Sequence, residues 1–280
     1  MIIVTGCNGF IGSNLVRYLT DQGFDVRGVD FESRLYNTDC INFVAEDFYN
    51  RLDQYMNGIT TVFHEGAISS TTETDNKKLF LKNIEPSLKL IQFCRGNNIP
   101  LQYASSASVY GNMSRAEWQL KNKKMNPLNQ YAVSKKTVDY VADLVINSTN
   151  PPCLLQSMRY FNVYGPNEDH KEDQSSPHSK FKKQLLETGK IKLFKNSRQF
   201  YRDFIHVNQV IDMKMKALKS MPSGFYDVGT SKPISFYDVA LQVFNEHHIK
   251  NADDYIEWID MPSALEHHYQ RYSYADTSWL

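Results

Sequence analysis

Tyr131 and Lys135 stand four residues apart in Tyr131-Ala132-Val133-Ser134-Lys135, so on a helix a phenol and an ammonium share one face. A nearby cation favours the phenolate, which moves a tyrosine pKa down toward neutrality and makes the phenol a usable general acid/base. Upstream, Tyr103-Ala104-Ser105-Ser106-Ala107-Ser108-Val109-Tyr110-Gly111 reads as a strand ending in hydroxyls. Ser106 could hydrogen-bond the same substrate oxygen that Tyr131 deprotonates, so the two segments form one constellation. Taken alone, the Tyr-x-x-x-Lys spacing also fits an ordinary exposed helix face.

A second group of residues suits a pyrophosphate. Gly6-Cys7-Asn8-Gly9-Phe10-Ile11-Gly12 follows the apolar run Ile2-Ile3-Val4 and opens a helical stretch from Ser13 to Leu19. Glycines there permit a tight turn and close backbone approach, with the anion at the helix N-terminus. The spacing is G-x-x-G-x-x-G rather than the commoner G-x-G-x-x-G of dinucleotide sites. Asp30 closes the next strand, where it would accept hydrogen bonds from adenosine ribose hydroxyls, an arrangement that favours NAD. Arg34 is near enough in sequence to offset repulsion of a 2′-phosphate, so NAD and NADP both stay open. Asp47 is placed either at the adenine or as a helix N-cap.

The elements that must hold these groups alternate. Strands are expected near 1–5, 25–30, 41–44, 60–65, 100–105 and 153–159, with helices near 11–22, 75–97 and 129–147. Such βαβ alternation predicts an α/β fold with a doubly wound parallel sheet of Rossmann type over 1–166. After Gly165-Pro166 the polar, charged stretch 167–183 predicts the start of a loop-rich substrate lobe over 167–280. Apolar runs at 203–207 and 224–228 are expected to return to the main sheet, which would interleave the two lobes.

Composition narrows the partners. Lys plus Arg and Asp plus Glu number 31 each in 280 residues, so no global field recruits nucleic acid or an anionic membrane. Cys7, Cys40, Cys94 and Cys153 lie far apart without metal-ligand spacing, and the adjacent pairs His247-His248 and His267-His268 do not aim at one point. No metal is expected, and the thiols are expected to be reduced in a cytoplasm. No signal sequence or membrane-spanning run is read in the chain.

Together the glycine turn, Ser105-Ser106-Ala107-Ser108-Val109-Tyr110-Gly111, Tyr131-x-x-x-Lys135 and Arg159-Tyr160-Phe161-Asn162-Val163-Tyr164-Gly165-Pro166 resemble the extended short-chain dehydrogenase/reductase family, in order and over nearly the whole chain. The resemblance implies a bound nicotinamide cofactor, Tyr131 as acid/base, Lys135 on the nicotinamide ribose, and nucleotide-diphosphate sugars as substrates. It also implies that Arg202 of Arg202-Asp203-Phe204-Ile205-His206-Val207 holds the substrate diphosphate, for which a forked guanidinium is suited. An ion pair with Asp203 is the alternative for Arg202. Asn83 and Asn162 match family positions near the active site, where a buried asparagine could equally serve the backbone.

A narrower resemblance, to the ADP-L-glycero-D-manno-heptose 6-epimerases, is carried by His64-Glu65-Gly66-Ala67-Ile68-Ser69-Ser70-Thr71-Thr72-Glu73-Thr74-Asp75 and by Gly165-Pro166-Asn167-Glu168-Asp169-His170-Lys171. It implies Gly66, Ala67 and Asn83 at the cofactor, which is NADP by this resemblance, and Ser69, Asn162 and Tyr269 at the substrate. It also implies Lys171 as a second acid/base across the substrate from Tyr131. Inverting an exocyclic carbon by oxidation and re-reduction turns the carbonyl oxygen to a new place, where a second proton donor must meet it. Lys171 otherwise reads as a solvated lysine among Glu168, Asp169, Glu172 and Asp173. Departures from the family pattern are Asn208, Asp227 and Phe31, and the sequence ends at Trp279-Leu280 where heptose epimerases continue. The expected function is a nucleotide-sugar epimerase, foremost of an ADP-heptose. The alternatives are a UDP- or GDP-hexose 4-epimerase without need of Lys171, and a dinucleotide-binding protein that has lost catalysis. A homo-oligomer is expected, with the helices near 75–97 and around Tyr131 pairing between subunits.

Overall fold

The computed structural model describes residues 1–31, 43–120, 123–148, 153–168, 175–263 and 269–280. Along them run β1 (Ile2–Thr5), α1 (Phe10–Asp21), β2 (Val26–Asp30), β3 (Phe43–Val44), α2 (Ala45–Asn50), α3 (Leu52–Tyr55), β4 (Thr61–His64), α4 (Asn76–Leu79), α5 (Glu85–Asn97) and β5 (Leu101–Ser106). There follow α6 (Arg115–Trp118), α7 (Gln130–Ile146), β6 (Leu155–Tyr160), β7 (Asn162–Tyr164), α8 (Pro177–Thr188), β8 (Ile191–Phe194), β9 (Tyr201–Arg202) and β10 (Phe204–His206). The last are α9 (Val207–Ser220), β11 (Gly224–Val228), β12 (Ile234–Ser235), α10 (Phe236–Glu246) and β13 (Ile256–Ile259).

Seven strands form one sheet in the order β11-β6-β5-β4-β1-β2-β3, every neighbouring pair parallel. This is the expected doubly wound sheet, and successive residues of β1 show why it is covered on both sides. Ile3 joins Val29, Phe48, Leu90, Ile91 and Val138 under α2, α5 and α7. Its neighbours Ile2 and Val4 join Leu15, Val16, Leu19 and Ile211 under α1 and α9. Alternation of side chains across a strand, with both faces apolar, is what buries a parallel strand completely. The order reverses between β1 and β4, and the crevice at the carboxyl ends of such strands is where an α/β sheet binds its ligand.

Three expectations for the elements are corrected. The run 203–207 does not return to the main sheet: Phe204–His206 pairs with β7 in a separate two-stranded sheet, and only β11 of the two runs adds to the edge of the large one. The helix expected over 75–97 is interrupted by a π-turn at Phe80–Ile84. The stretch 167–183 is not all loop, because Ser176 caps α8 by accepting from the Ser179 N–H, with Pro177 at the first helical position. Phe181, Leu185, Ile191, Leu193, Val243 and Phe244 form a separate core cluster around α8, β8 and α10. Among the described residues no helix is long and apolar enough to cross a membrane.

One buried chain of hydrogen bonds ties the crevice floor together and carries a pH signature. His64 Nδ1 lies 2.6 Å from Thr5 Oγ1 and Nε2 lies 2.9 Å from Ser87 Oγ. The Ser87 hydroxyl donates to the Asn83 carbonyl at 2.6 Å, so Nε2–H must be the donor to Ser87 and bare Nδ1 accepts from Thr5. Burial, helped by the charge of Lys135, pushes His64 down to about 3 and keeps it neutral. The unfolded chain regains an ordinary imidazole. As pH falls from about 6.5 toward 3 it takes up a proton that the folded state refuses, and stability drops by up to about 1.4 kcal/mol per pH unit. Urea midpoints between pH 7.5 and 4.5 should therefore fall less steeply for His64→Gln than for the parent, and equal slopes would assign the acid sensitivity elsewhere.

Candidate active site

The turn between β1 and α1 is built to bring backbone against a ligand. Gly6 has φ +67°, and a Cβ there would lie 2.6 Å from the Gly66 backbone nitrogen. A Cβ on Gly12 would stand 1.9 Å from the Gly6 carbonyl oxygen, so both positions exclude any larger residue. Gly9 occupies the N-cap of α1 without a side-chain capping bond. The first N–H groups of a helix lack intrahelical partners and, with the helix dipole, favour an anion. Gly12→Ala is expected to weaken dinucleotide binding by at least about tenfold, a loss of one charge-assisted contact or more, read by titration of the folded variant.

On either side of this turn the crevice opens into two adjoining cavities. One, of about 330 Å³, is lined by Asn8, Asp30, Phe31, Tyr49, Gly66 and Ala67 among others. The Asp30 carboxylate is fixed there by the Asn8 N–H at 2.9 Å. The other, of about 420 Å³, holds Phe10, Ile11, Ser69, Ser106, Tyr131 and Lys135. Gly6, Gly9, Glu65 and Ala67 line both, so the two are halves of one cleft.

The candidate reacting groups are carried by two elements, α7 and β5. Asn129 caps α7 through the Ala132 N–H at 2.8 Å and so fixes where the helix begins, with Tyr131 and Lys135 on its buried face. Ser106 ends β5 and accepts from the Ser108 N–H at 3.2 Å. Lys135 Nζ donates to the Ala104 carbonyl at 2.8 Å, and burial lowers its pKa to about 8. The expected lowering of Tyr131 toward neutrality is corrected. Burial raises the phenol above its ordinary value and only the Ser106 hydrogen bond opposes it. The sequence argument counted the nearby cation and left out desolvation of a buried phenol.

Other expected ligand contacts take protein partners in the structure. Asp47 sits inside α2 rather than at its N-cap, bonded to Tyr55 and paired with Arg51 at 2.9 Å, and it does not line the cleft. The Asn83 amide is used up by Ile68, whose N–H it accepts at 2.7 Å and whose carbonyl it meets at 3.0 Å, and by Ser134 at 3.0 Å. It therefore braces the Ile68 loop against the Tyr131 helix instead of facing a ligand. Asn162 likewise donates to the Asp203 carbonyl at 3.1 Å. Arg202 is buried in the second lobe with its guanidinium 5.3 Å from the Tyr269 ring and 5.6 Å from that of Phe236. It forms no ion pair with Asp203, whose carboxylate instead accepts from Thr230 and the Ala275 N–H. Burial without an acid partner among the described residues lowers Arg202 to about 10. Arg34 and Lys171 lie outside the described residues. Next to the Lys171 segment, the buried Glu168 accepts from the Gly165 N–H at 2.9 Å and from Ser176 at 2.6 and 2.9 Å.

Two residues at the cleft were not foreseen. Glu65 lines both halves, and its carboxylate is held by Lys214 at 2.7 Å and by the Tyr160 hydroxyl at 2.9 and 3.0 Å. The Lys214 signal was present, because Val207, Val210, Ile211, Lys214 and Ala217 follow helical spacing and put a lysine on an apolar stripe. The departure at Asp227 is also accounted for. Its carboxylate pairs with Lys123 at 2.9 Å and accepts from Tyr110 at 2.5 Å, both enclosed.

A profile of the NAD dependent epimerase/dehydratase family matches residues 2–229. The chain belongs to this family. The expectation of an NAD-dependent enzyme of the epimerase class therefore holds at the level of the family. Among solved structures of similar fold, Helicobacter pylori ADP-L-glycero-D-manno-heptose-6-epimerase is 28% identical with a TM-score of 0.81, over 93% of this chain and 84% of that one. UDP-N-acetylglucosamine 4-epimerase of Methanobrevibacter ruminantium, solved with UDP-N-acetylmuramic acid, has a TM-score of 0.85 at 24% identity, over 99% and 89%. Thermus thermophilus UDP-glucose 4-epimerase, solved with NAD, has 0.80 at 22%, over 98% and 90%. The last two establish the shared fold of the NAD dependent epimerase/dehydratase family and no more.

Proposed function

We propose that the chain is a nucleotide-sugar epimerase that inverts C6 of an ADP-glycero-manno-heptose by transient oxidation to a carbonyl. The observation that carries the reaction class is the single cleft joining the glycine turn and Asp30 to Ser106, Tyr131 and Lys135. The substrate is supported by the similarity to the Helicobacter enzyme together with the His64–Asp75 and Gly165–Lys171 segments.

The cradle fits a dinucleotide, since the space that Cβ atoms on Gly6 and Gly12 would fill is what a pyrophosphate needs beside the α1 N-terminus. Asp30 would hold the adenosine ribose and Lys135 the nicotinamide ribose. A bound nicotinamide supplies hydride acceptance and return. Tyr131, as the phenolate, would take the proton from the sugar hydroxyl as the carbonyl forms, while Ser106 fixes that oxygen by a hydrogen bond. After the carbonyl rotates, Lys171 protonates the oxygen in its new place. Arg202, stacked against Tyr269, grips the substrate diphosphate through paired N–H groups. Replacing Arg202 with methionine should raise KM by roughly 10- to 100-fold with a smaller change in kcat, the loss of a charge-assisted contact.

Incubation with ADP-D-glycero-D-manno-heptose, followed by NMR at C6, tests the substrate. Conversion that is lost in Lys171→Ala supports the proposal. No change at C6 with the cofactor bound sinks it, and inversion of a UDP- or GDP-hexose that Lys171→Ala leaves intact replaces it with a 4-epimerase. Exposed Phe80, Leu81, Val133, Tyr140 and Leu144, at the π-turn and on α7, support pairing of these helices between two subunits. Solution scattering should return a mass of two chains, and a monomer would remove this part.

A further inference from the structure

Glu65 lines both halves of the cleft, and the proposed reaction gives it no task. Its place follows from the sheet. His64 pairs with Tyr103 across β4 and β5, so Glu65 and Ala104 are the next residues along two neighbouring strands, which in any sheet run about 4.8 Å apart. Lys135 Nζ donates to that Ala104 carbonyl at 2.8 Å. The ammonium thus reaches the strand ends beside Glu65, and Glu65, Lys135 and Tyr160 line the same half of the cleft.

Two lysines come to this carboxylate from opposite faces of the sheet. Lys135 is carried by α7, over the face that holds Ile3 and Tyr103, and Lys214 by α9, over the face that holds Val4 and Phe63. Lys214 Nζ meets Glu65 at 2.7 Å, and the Tyr160 hydroxyl of β6 donates to the same carboxylate. The other groups near Lys135 bring less charge to it. On α7, Asp139 accepts from Tyr103, Ser157 and the Arg159 guanidinium, each at 2.9 Å, so its charge is shared with Arg159. On β4, burial keeps His64 neutral. Tyr131 of α7 and Ser106 of β5 bring hydroxyls. Burial pushes Lys135 down to about 8, and Glu65 is the foremost charge that opposes this, ahead of Asp139. A lysine that loses its proton there would no longer favour the phenolate of Tyr131.

We propose that Glu65 is a positioning residue of the reaction that acts through Lys135: it holds Lys135 as the ammonium, while Lys214 takes up part of the same negative charge from the far face of the sheet and limits that hold. The inference rests on the proposed function, in which Lys135 serves the dinucleotide and Tyr131.

Lysine labelled with ¹³C at Cε reads the protonation of Lys135 by NMR in the cofactor-free chain, without turnover, its signal assigned by its loss in Lys135→Arg. The parent should titrate at about pH 8. Glu65→Gln should lower the midpoint by about one pH unit or more. Lys214→Met should raise it, because the carboxylate is then left to Lys135. Loosened packing at the cleft floor would move both variants the same way. The double variant Glu65→Gln/Lys214→Met, which leaves neither ion uncompensated, should titrate between the parent and Glu65→Gln and serves where a single variant does not fold. The alkaline fall of kcat should move with the midpoint in each. A Glu65→Gln midpoint within about 0.3 pH unit of the parent overturns the inference, and so do single variants that shift in the same direction. Midpoints that shift as expected while the alkaline fall of kcat stays in place overturn the role of Glu65 in the reaction. A folded parent that binds no dinucleotide and inverts no sugar overturns the proposed function instead, whatever the midpoints.

Discussion

Tyr131→Phe is expected to lower kcat for inversion by roughly 10²- to 10⁴-fold, the range that a positioned general acid/base contributes, while the affinity for the dinucleotide stays within about threefold. The reason is local. The phenol lines the cleft half that also contains Ser106 and Lys135, so its hydroxyl is the group placed to exchange a proton with the sugar oxygen there. Removing the hydroxyl takes away the proton carrier without changing the cradle at Gly6–Gly12, which is formed by backbone. Single-turnover kinetics and a dinucleotide titration on the same preparation check both halves. A variant that turns over like the parent would leave the chain as a dinucleotide-binding protein whose tyrosine is structural.

The second large effect concerns stability. Lys214 is fully enclosed in α9 and balances Glu65, whose side chain is also enclosed at the cleft floor. Burial pushes Lys214 down, and the contact with the Glu65 carboxylate opposes that. Lys214→Met leaves a buried carboxylate with the Tyr160 hydroxyl as its remaining partner, a change that costs about 3–5 kcal/mol. For a chain of this size that lowers Tm by roughly 10 °C. Removing both charges in Glu65→Gln/Lys214→Met should recover more than half of the loss, because no uncompensated ion is left. Melting curves of the parent, both single variants and the double variant measure the coupling. A Lys214→Met chain melting within about 2 °C of the parent would show that Glu65 does not depend on its ammonium.

The parts of the molecule that could be read from the sequence are those fixed by local rules. The glycine turn after an apolar strand is set by backbone geometry, and the helical spacing of Tyr131 and Lys135 puts both on one face. The apolar runs of β1 and β4 announce strands buried on both sides. What was not legible depends on partners far apart in the chain. Asn83 looked like a cofactor contact, but its amide is consumed by Ile68 and Ser134, which only the packed π-turn brings to it. Asp227 was a departure from the family pattern until Lys123, 104 positions away, appeared beside it. The short run at 203–207 has the same apolar character whether it joins the large sheet or β7, and nothing local separates the two outcomes. The Tyr131 pKa went the other way because spacing reveals a neighbouring charge but not how completely the phenol is removed from water.

The central claim is that the sugar carbon is inverted by oxidation and return of the same hydrogen, with Tyr131 moving only the hydroxyl proton. The most direct measurement is to run the inversion of ADP-glycero-manno-heptose in D₂O and read deuterium at C6 of the product by mass spectrometry and NMR. The account predicts an inverted product with no solvent deuterium on carbon, since the hydrogen removed from carbon would be the one returned to it and Tyr131 would move only the hydroxyl proton. An inverted product carrying one deuterium at C6 would show proton abstraction from carbon instead, and would contradict it.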